Sequence, residues 1–266
     1  MLKLAGSAAG LVILSAALAG CGSAEGTPAA APLNPQFVTA GSLTVCTDMP
    51  YEPFESMKGG KPIGFDIDLI DAVAARLKVK PVIVDTDFDA IQSGDSLNSA
   101  DCDVAISAMT ITGERARVLD FSSPYFDASQ AMVVPKDSDV KTLEDLDGKK
   151  IGVQGGTTGE LYVTDNAPGD AEIVPFEDAS AMDVALKGGE VDAAVYDNTV
   201  VGDVVARNPG FQLAAEFDTG EQYGMAVKKN GSVDLLRTIN DVLADLKSQG
   251  GYDEIYSKWF GVAPAN

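Results

Sequence analysis

Apolar and polar residues alternate along this chain in two rhythms. Leu43 to Thr47 (LTVCT) changes face at every residue, as a strand does. Asp66 to Leu77 instead places Ile70, Val73, Ala74 and Leu77 at helical spacing. Val82-Ile83-Val84 reads as a short buried strand, Asp89 to Asn98 as a helix and Val104 to Ser107 as a strand. The pattern then restarts. Ala131 to Pro135, Ile151 to Gln154, Ile173-Val174 and Val191 to Tyr196 are predicted strands. A short helix at Thr142 to Leu146 and helices at Thr158–Thr164, Ser180–Lys187 and Thr199–Arg207 separate or follow them. Tyr223 to Lys228 is predicted as a strand, Val233 to Ser248 as a long amphipathic helix, and Trp259-Phe260 as a cap. Strands alternating with helices make βαβ units and predict a mostly parallel sheet. One continuous sheet would be too wide for 266 residues, so the order predicts two α/β lobes with a cleft between them.

The first residues follow neither rhythm. Lys3 precedes an uninterrupted small and apolar run, Leu4 to Ala19, too short and too rich in Ala and Gly to read as a membrane span. It ends Leu18-Ala19-Gly20-Cys21, which resembles the bacterial lipobox: an aliphatic residue, two small ones, then the lipid-accepting cysteine. Residues 1–20 are therefore expected to be a lipoprotein signal peptide, with Cys21 carrying the lipid that holds the protein on the outer face of the bacterial cell membrane. The plainer alternative is an ordinary signal peptide with an incidental Cys. Residues 21–36, small and punctuated by Pro, are expected to be a flexible tether. Export leaves Cys46 and Cys102 as an even pair in an oxidising compartment. They form a possible disulfide if the strands that carry them lie side by side, and otherwise two inert thiols.

Composition narrows the chemistry. The chain contains no histidine, so a Ser-His-Asp triad, an HExxH zinc site and a histidine general base are all excluded. Nineteen basic against 40 acidic residues, a formal charge of -21, argue against nucleic acid and against electrostatic docking on anionic lipid. Gly155-Gly156-Thr157-Thr158 follows a strand and opens a helix, a junction that points free N–H groups at an anion. No Lys-Ser/Thr follows it, GxGxxG is absent, and Gly148-Lys149-Lys150 fails the Walker pattern, so no nucleotide chemistry and no cofactor are expected.

Seven segments then appear in order from about Gly41 to Gly261: GSLTVCTDMPYEPFE, GFDIDLIDAVAARL, TDFDAI, CDVAISAMTITGERARVLDFSSPYF, LEDLDGKKIGVQGGTTGELY, GEVDAAVYD and YGMAVKK with QGGYDEIYSKWFG. Together they resemble the polar-amino-acid-binding proteins of ABC importers, solute-binding family 3. The resemblance implies an α/β fold of the periplasmic-binding-protein type II kind: two Rossmann-like lobes joined by two hinge strands, closing like a Venus flytrap on one amino acid. Lobe 1 would be 37–127 and 226–262, and lobe 2 would be 130–221, with crossovers near Asp127–Gln130 and Glu221–Met225. The partners implied are a free amino acid and a membrane permease, with the protein itself a monomer.

The same resemblance implies the ligand groups. A free amino acid is a zwitterion, so a dry cleft must offer a cation and donors to one end and a carboxylate to the other. Arg115, with Thr110 and backbone amides near Ala108, would hold the α-carboxylate. The alternative is a surface ion pair with Glu114 or Asp120. Thr157 and Thr158 would donate to the carboxylate from the other lobe, or serve only as a turn and helix cap. Asp197 would pair with the α-ammonium, or cap the helix that follows it. Tyr51 and Phe88 would sandwich the ligand's aliphatic part, or pack in the core. Asp48, Gln154 and Tyr196 would line the side-chain end, and Asp48 disfavours an acidic ligand and favours a basic or amide one. Fixed charges of this kind predict binding nearly independent of pH between about 5 and 8. Two other functional classes compete. A prephenate/arogenate dehydratase-like enzyme would need Asp48, Glu55 or Asp197 as general acid, and a sensory module would normally continue into a membrane span. No enzymatic activity is expected.

Overall fold

A computed structural model describes Leu2 and residues 33–262; the lipidation predicted at Cys21 lies outside the described residues. The first sheet is built from β1 (Ser42–Thr47), a hairpin of β2 (Ser56–Lys58) and β3 (Lys61–Ile63) beside it, α1 (Phe65–Leu77), β4 (Lys80–Asp85), α2 (Phe88–Gln92), α3 (Asp95–Asn98), β5 (Val104–Ala105), α4 (Arg115–Val118) and β6 (Leu119–Phe121). The chain then crosses along β7 (Phe126–Pro135). A second sheet follows with β8 (Lys150–Gln154), α5 (Thr158–Asn166), β9 (Glu172–Phe176), α6 (Ala179–Gly188), β10 (Ala193–Asp197) and α7 (Asn198–Arg207). It returns along β11 (Phe211–Tyr223) to β12 (Ala226–Lys228) in the first sheet, and ends in α8 (Val233–Gln249) and α9 (Gly251–Phe260). The strand orders are β4-β1-β5-β12-β6 and β11-β7-β10-β8-β9, one sheet for each of two lobes.

Several expectations are corrected. The sheets are mixed, not mostly parallel: β12 runs antiparallel to β5 and β6, and β7 runs antiparallel to β10 and β11. These are the strands that cross over or return, which a βαβ reading does not anticipate. The strand at Val82–Val84 is not buried; it lies at the sheet edge with Val82 44% exposed. Asp89 to Asn98 is not one helix, because Gly94 in a left-handed conformation separates α2 from α3. Tyr223 to Lys228 is likewise not one strand: Tyr223 ends β11 and Ala226 begins β12. Trp259-Phe260 is the end of a ten-residue helix, not a separate cap.

Packing explains the frame. Helix α1 buries Phe65, Asp66, Ile67, Leu69, Ile70, Val73 and Ala74, most of the circumference at its first turn, and α8 buries Leu235, Thr238, Ile239, Val242 and Leu243 on one helical face. Entry into α1 requires a residue without a side chain at Gly64 (φ 147), where a Cβ would fall 1.7 Å from the Phe54 carbonyl oxygen. Where β7 and β11 leave the first sheet, Phe126 and Tyr223 pair across the ladder. Phe54, Phe65, Tyr256 and Phe260 pack on them with ring centroids 5.0–5.5 Å from Phe126 or Tyr223. Helix α9 thus clamps the base of both crossing strands. Cys46 and Cys102 form a disulfide with Cα atoms 5.7 Å apart, tying β1 to the approach to β5, its neighbour in the sheet.

Candidate functional site

Each sheet presents polar groups beyond the carboxyl ends of its parallel strands, where open α/β sheets place ligands. From the first sheet, Asp48 and Tyr51 follow β1, Phe88 follows β4, and Ser107, Ala108 and Thr110 follow β5. From the second, Gln154 closes β8, Thr157 and Thr158 open α5, and Tyr196 and Asp197 close β10. Arg115 starts α4. All of these residues line one cavity, together with Gln130, Gly159, Met182 and Val195. Every ligand residue named from the sequence is brought there.

Arg115 is 5% exposed. Its Nη1 donates to the Thr110 carbonyl at 2.8 Å and its Nη2 to the Gly156 carbonyl, across the cleft, at 2.9 Å. The guanidinium also lies 5.1 Å over the Phe88 ring. Burial lowers its pKa to about 10, against the pull of Asp197 and Glu221, so it stays a cation at neutral pH. The surface-pair alternative fails: the guanidinium is buried against two carbonyls, it forms no ion pair with Glu114 or Asp120 among the described residues, and Asp120 pairs with Lys229 at 2.9 Å.

Asp197 occupies the N-cap position of α7 without capping it. Its carboxylate instead accepts from Gln130 Nε2 at 2.7 Å and from the Tyr223 hydroxyl. Burial, reinforced by Glu221, raises its pKa to about 6. The Tyr51 hydroxyl is kept protonated by burial and by the nearby Asp197. At the far end, Gln154 Nε2 donates to Asp48 Oδ2 at 2.9 Å. Burial raises Asp48 to about 7, and Asp178, Asp85 and Asp87 push in the same direction. Two site carboxyls therefore titrate between pH 5 and 8, and the expected independence of pH is corrected: it took the carboxyls at their solution values and left out burial.

The hydroxyls are less free than expected. Thr157 Oγ1 accepts from Glu160 N–H at 3.2 Å as a helix N-cap and donates to the Gln154 carbonyl at 2.8 Å, so its proton is spent within the chain. Tyr196 contributes its ring, since its hydroxyl donates to Asp183 at 2.8 Å. Thr110 and Thr158 both donate to Glu221 Oε2, at 2.8 and 2.7 Å. Gln130, wholly buried, also donates to Glu221, at 3.1 Å.

Glu221 and Gln130 were not anticipated as site residues. Both fall at the predicted crossovers, which is the one signal in the sequence that could have pointed to them. Glu221 is aimed by an irregularity in β11: Phe217 and Glu221 face Gln130 and Ala128 on β7, so β11 has extra residues there, accommodated by Gly220 at φ 62.

The sequence matches the family model of bacterial extracellular solute-binding proteins, family 3, over residues 43–262. A probable histidine-binding protein of Neisseria gonorrhoeae is 35% identical over 95% of this chain and 94% of its own length. The ABC transporter arginine-binding protein 1 of Escherichia coli (strain K12) is 34% identical over 79% of this chain and 87% of its own. A solved ancestral arginine-binding protein bound to glutamine superposes with a TM-score of 0.79 at 46% identity, covering 84% of this chain and 99% of that one. With two mixed sheets, one cavity between them and a match across nearly the whole folded region, the chain belongs to the bacterial extracellular solute-binding proteins, family 3.

Proposed function

We propose that the protein captures a free polar L-amino acid between its lobes and delivers it to an ABC-type importer. One observation carries this: a buried guanidinium from the first lobe and a half-buried carboxylate from the second, Arg115 and Asp197, line the same cavity. That pair complements a zwitterion. Arg115, with the backbone around Ala108 and Thr110 and the start of α5, takes the α-carboxylate, and Asp197 takes the α-ammonium. Tyr51 and Phe88 enclose the aliphatic part, and Asp48 with Gln154 meets the end of the side chain. An acidic ligand would set its second carboxylate against Asp48, so a basic or amide side chain is preferred. Relatives named for arginine and histidine, and one solved with glutamine, support that class.

Ligand contacts to both lobes favour the closed arrangement. Lobe 1 comprises 37–127 and 226–262, lobe 2 comprises 130–221, and β7 and β11 are the hinges. The protein acts as a monomer outside the cytoplasm, anchored by a lipid on Cys21. The dehydratase alternative is not favoured: the relatives are named as binding proteins, and Glu55, one of its three candidate acids, is wholly buried behind Ser107.

Calorimetry of refolded, ligand-stripped protein against the twenty amino acids should find L-arginine or another basic or amide amino acid binding. R115A should weaken that binding by about 100-fold or more, since it removes a charge-assisted pair from a buried site. Failure of all twenty to bind, or intact binding by R115A, would refute the assignment. Mass spectrometry of the exported protein, with and without C21S, tests the anchor.

A further inference from the structure

Behind the cavity wall lie two carboxyl groups that ligand capture does not use. Glu55 precedes β2 and Asp66 is the second residue of α1, and both are 0% exposed. The titratable groups facing them are each other, Asp48 and the phenols of Tyr51, Tyr125 and Tyr252; no cation is among these. Glu55 Oε1 accepts from the Ser107 hydroxyl at 2.6 Å, and that hydroxyl oxygen accepts from Asp48 N–H at 3.1 Å. Asp66 Oδ2 accepts from Ala108 N–H and from the Tyr125 hydroxyl, both at 2.9 Å. The second oxygen of each, Glu55 Oε2 and Asp66 Oδ1, is buried without a donor. The Asp66 N–H donates to the carbonyl of Phe54, the residue before Glu55, at 3.0 Å, and the two acids hold the adjacent residues Ser107 and Ala108, so the two carboxyl groups are packed together.

Two ionised carboxylates in contact, dry and without a cation, repel strongly. One proton between them removes a charge and turns two orphaned acceptors into a single strong hydrogen bond. We propose that Glu55 and Asp66 share one proton, and that this acid pair is a positioning device for Ser107 and Ala108, the stretch of wall that meets the bound amino acid.

Glu55 carries the proton and Asp66 the charge. As an anion, Asp66 holds the Ala108 amide, and Ala108 sits at φ 42, a conformation that a residue other than glycine keeps only when its surroundings impose it. Glu55 anchors Ser107 and, through it, the Asp48 backbone, so three residues of the cavity wall hang from one shared proton. Burial raises both acids, Glu55 the further because Asp66 adds its charge. Loss of the proton sets two anions side by side, drives the wall apart and weakens binding on the alkaline side of neutrality. In E55Q the amide N–H donates to Asp66 in place of the proton and removes that alkaline loss.

The effect on affinity rests on the capture proposed above, whereas the proton itself can be read without ligand. At about pH 8, where acids with pKa near 6 or 7 are mostly ionised, the infrared spectrum of the ligand-free protein should show a carboxylic-acid C=O stretch that is missing from E55Q. Titration with L-arginine should find E55Q within about threefold of the parent and E55A weaker by about tenfold or more, the effect of leaving buried donors unpaired. Absence of the band in the parent overturns the shared proton. A band with E55Q weakened as much as E55A, at an unchanged melting temperature, overturns the positioning role. If L-arginine and every other amino acid fail to bind the parent, the capture proposal falls while the band still decides the proton. If E55Q does not fold, the parent decides alone: band and arginine affinity lost together on the alkaline side support the pair, and affinity lost while the band persists overturns it.

Discussion

Asp48 and Asp197 carry the electrostatic character of the cavity, and each owes it to burial more than to any partner. With pKa values near 7 and 6 in the ligand-free protein, both are partly protonated in mildly acidic solution. A cationic amino acid favours their ionised forms, so its binding must release protons, and its affinity must rise as pH rises from about 5 to about 7. Calorimetry of L-arginine binding near pH 6.5 in buffers of different ionisation enthalpy should detect that release. D48N should weaken L-arginine by about 10- to 100-fold, the range for losing a charge-assisted hydrogen bond, and should cost L-glutamine less. An equal loss for both would mean that Asp48 does not meet the ligand's side chain.

Among the elements, β11 does most to join recognition to closure. Its irregularity between Phe217 and Glu221 carries Glu221 to Thr110 of the first lobe and Thr158 of the second, and both hydroxyls donate to a single oxygen. E221A leaves those hydroxyls without their carboxylate acceptor and leaves the buried Gln130 amide with Asp197 as its one carboxylate acceptor, and should weaken amino-acid binding by about tenfold. E221Q, which keeps an acceptor, should recover part of it. Titration with the amino acid found to bind the parent checks both variants. At the entry to α1 the constraint is steric. G64A would force a Cβ into the Phe54 carbonyl at an unfavourable φ, and should cost about 3 kcal/mol or more, as backbone clashes in a packed core do. Urea unfolding at neutral pH is the measurement.

For the whole molecule, the raised carboxyls set the direction of its pH response. Asp48 and Asp66 near 7 and Asp197 near 6 all lie above their ordinary value of 3.8. The native state therefore holds more protons than the unfolded chain between about pH 4 and pH 7, and stability falls as pH rises through that window. The ligand-free protein should melt several degrees higher near pH 5 than near pH 8, and a basic ligand should narrow the difference by stabilising the ionised forms. Scanning calorimetry with and without L-arginine checks both. The exposed cross-lobe bridge from Arg207 to Glu52, at 2.8 Å, should add little to either state, because solvent screens it.

Local features were legible in the sequence because they are written over a few neighbouring residues. Helical spacing marked α1 and α8, alternation marked β1, and seven ordered segments marked the family and a set of candidate ligand residues that line one cavity. Features set by distant partners were not legible. The sequence of β11, FQLAAEFDTGEQY, alternates only as far as Asp218; Thr219-Gly220-Glu221 carries no strand rhythm, and the strand continues through it because pairing with β7 resumes beyond the irregularity. Gln130 and Glu221 carry no motif, and their importance arises only where the crossing strands bring them against Asp197, Thr110 and Thr158. The sequence by itself determined which charges enter the cleft. The tertiary structure decided how strongly those charges hold their protons, because desolvation depends on everything packed around a group and on nothing in its own chemical identity.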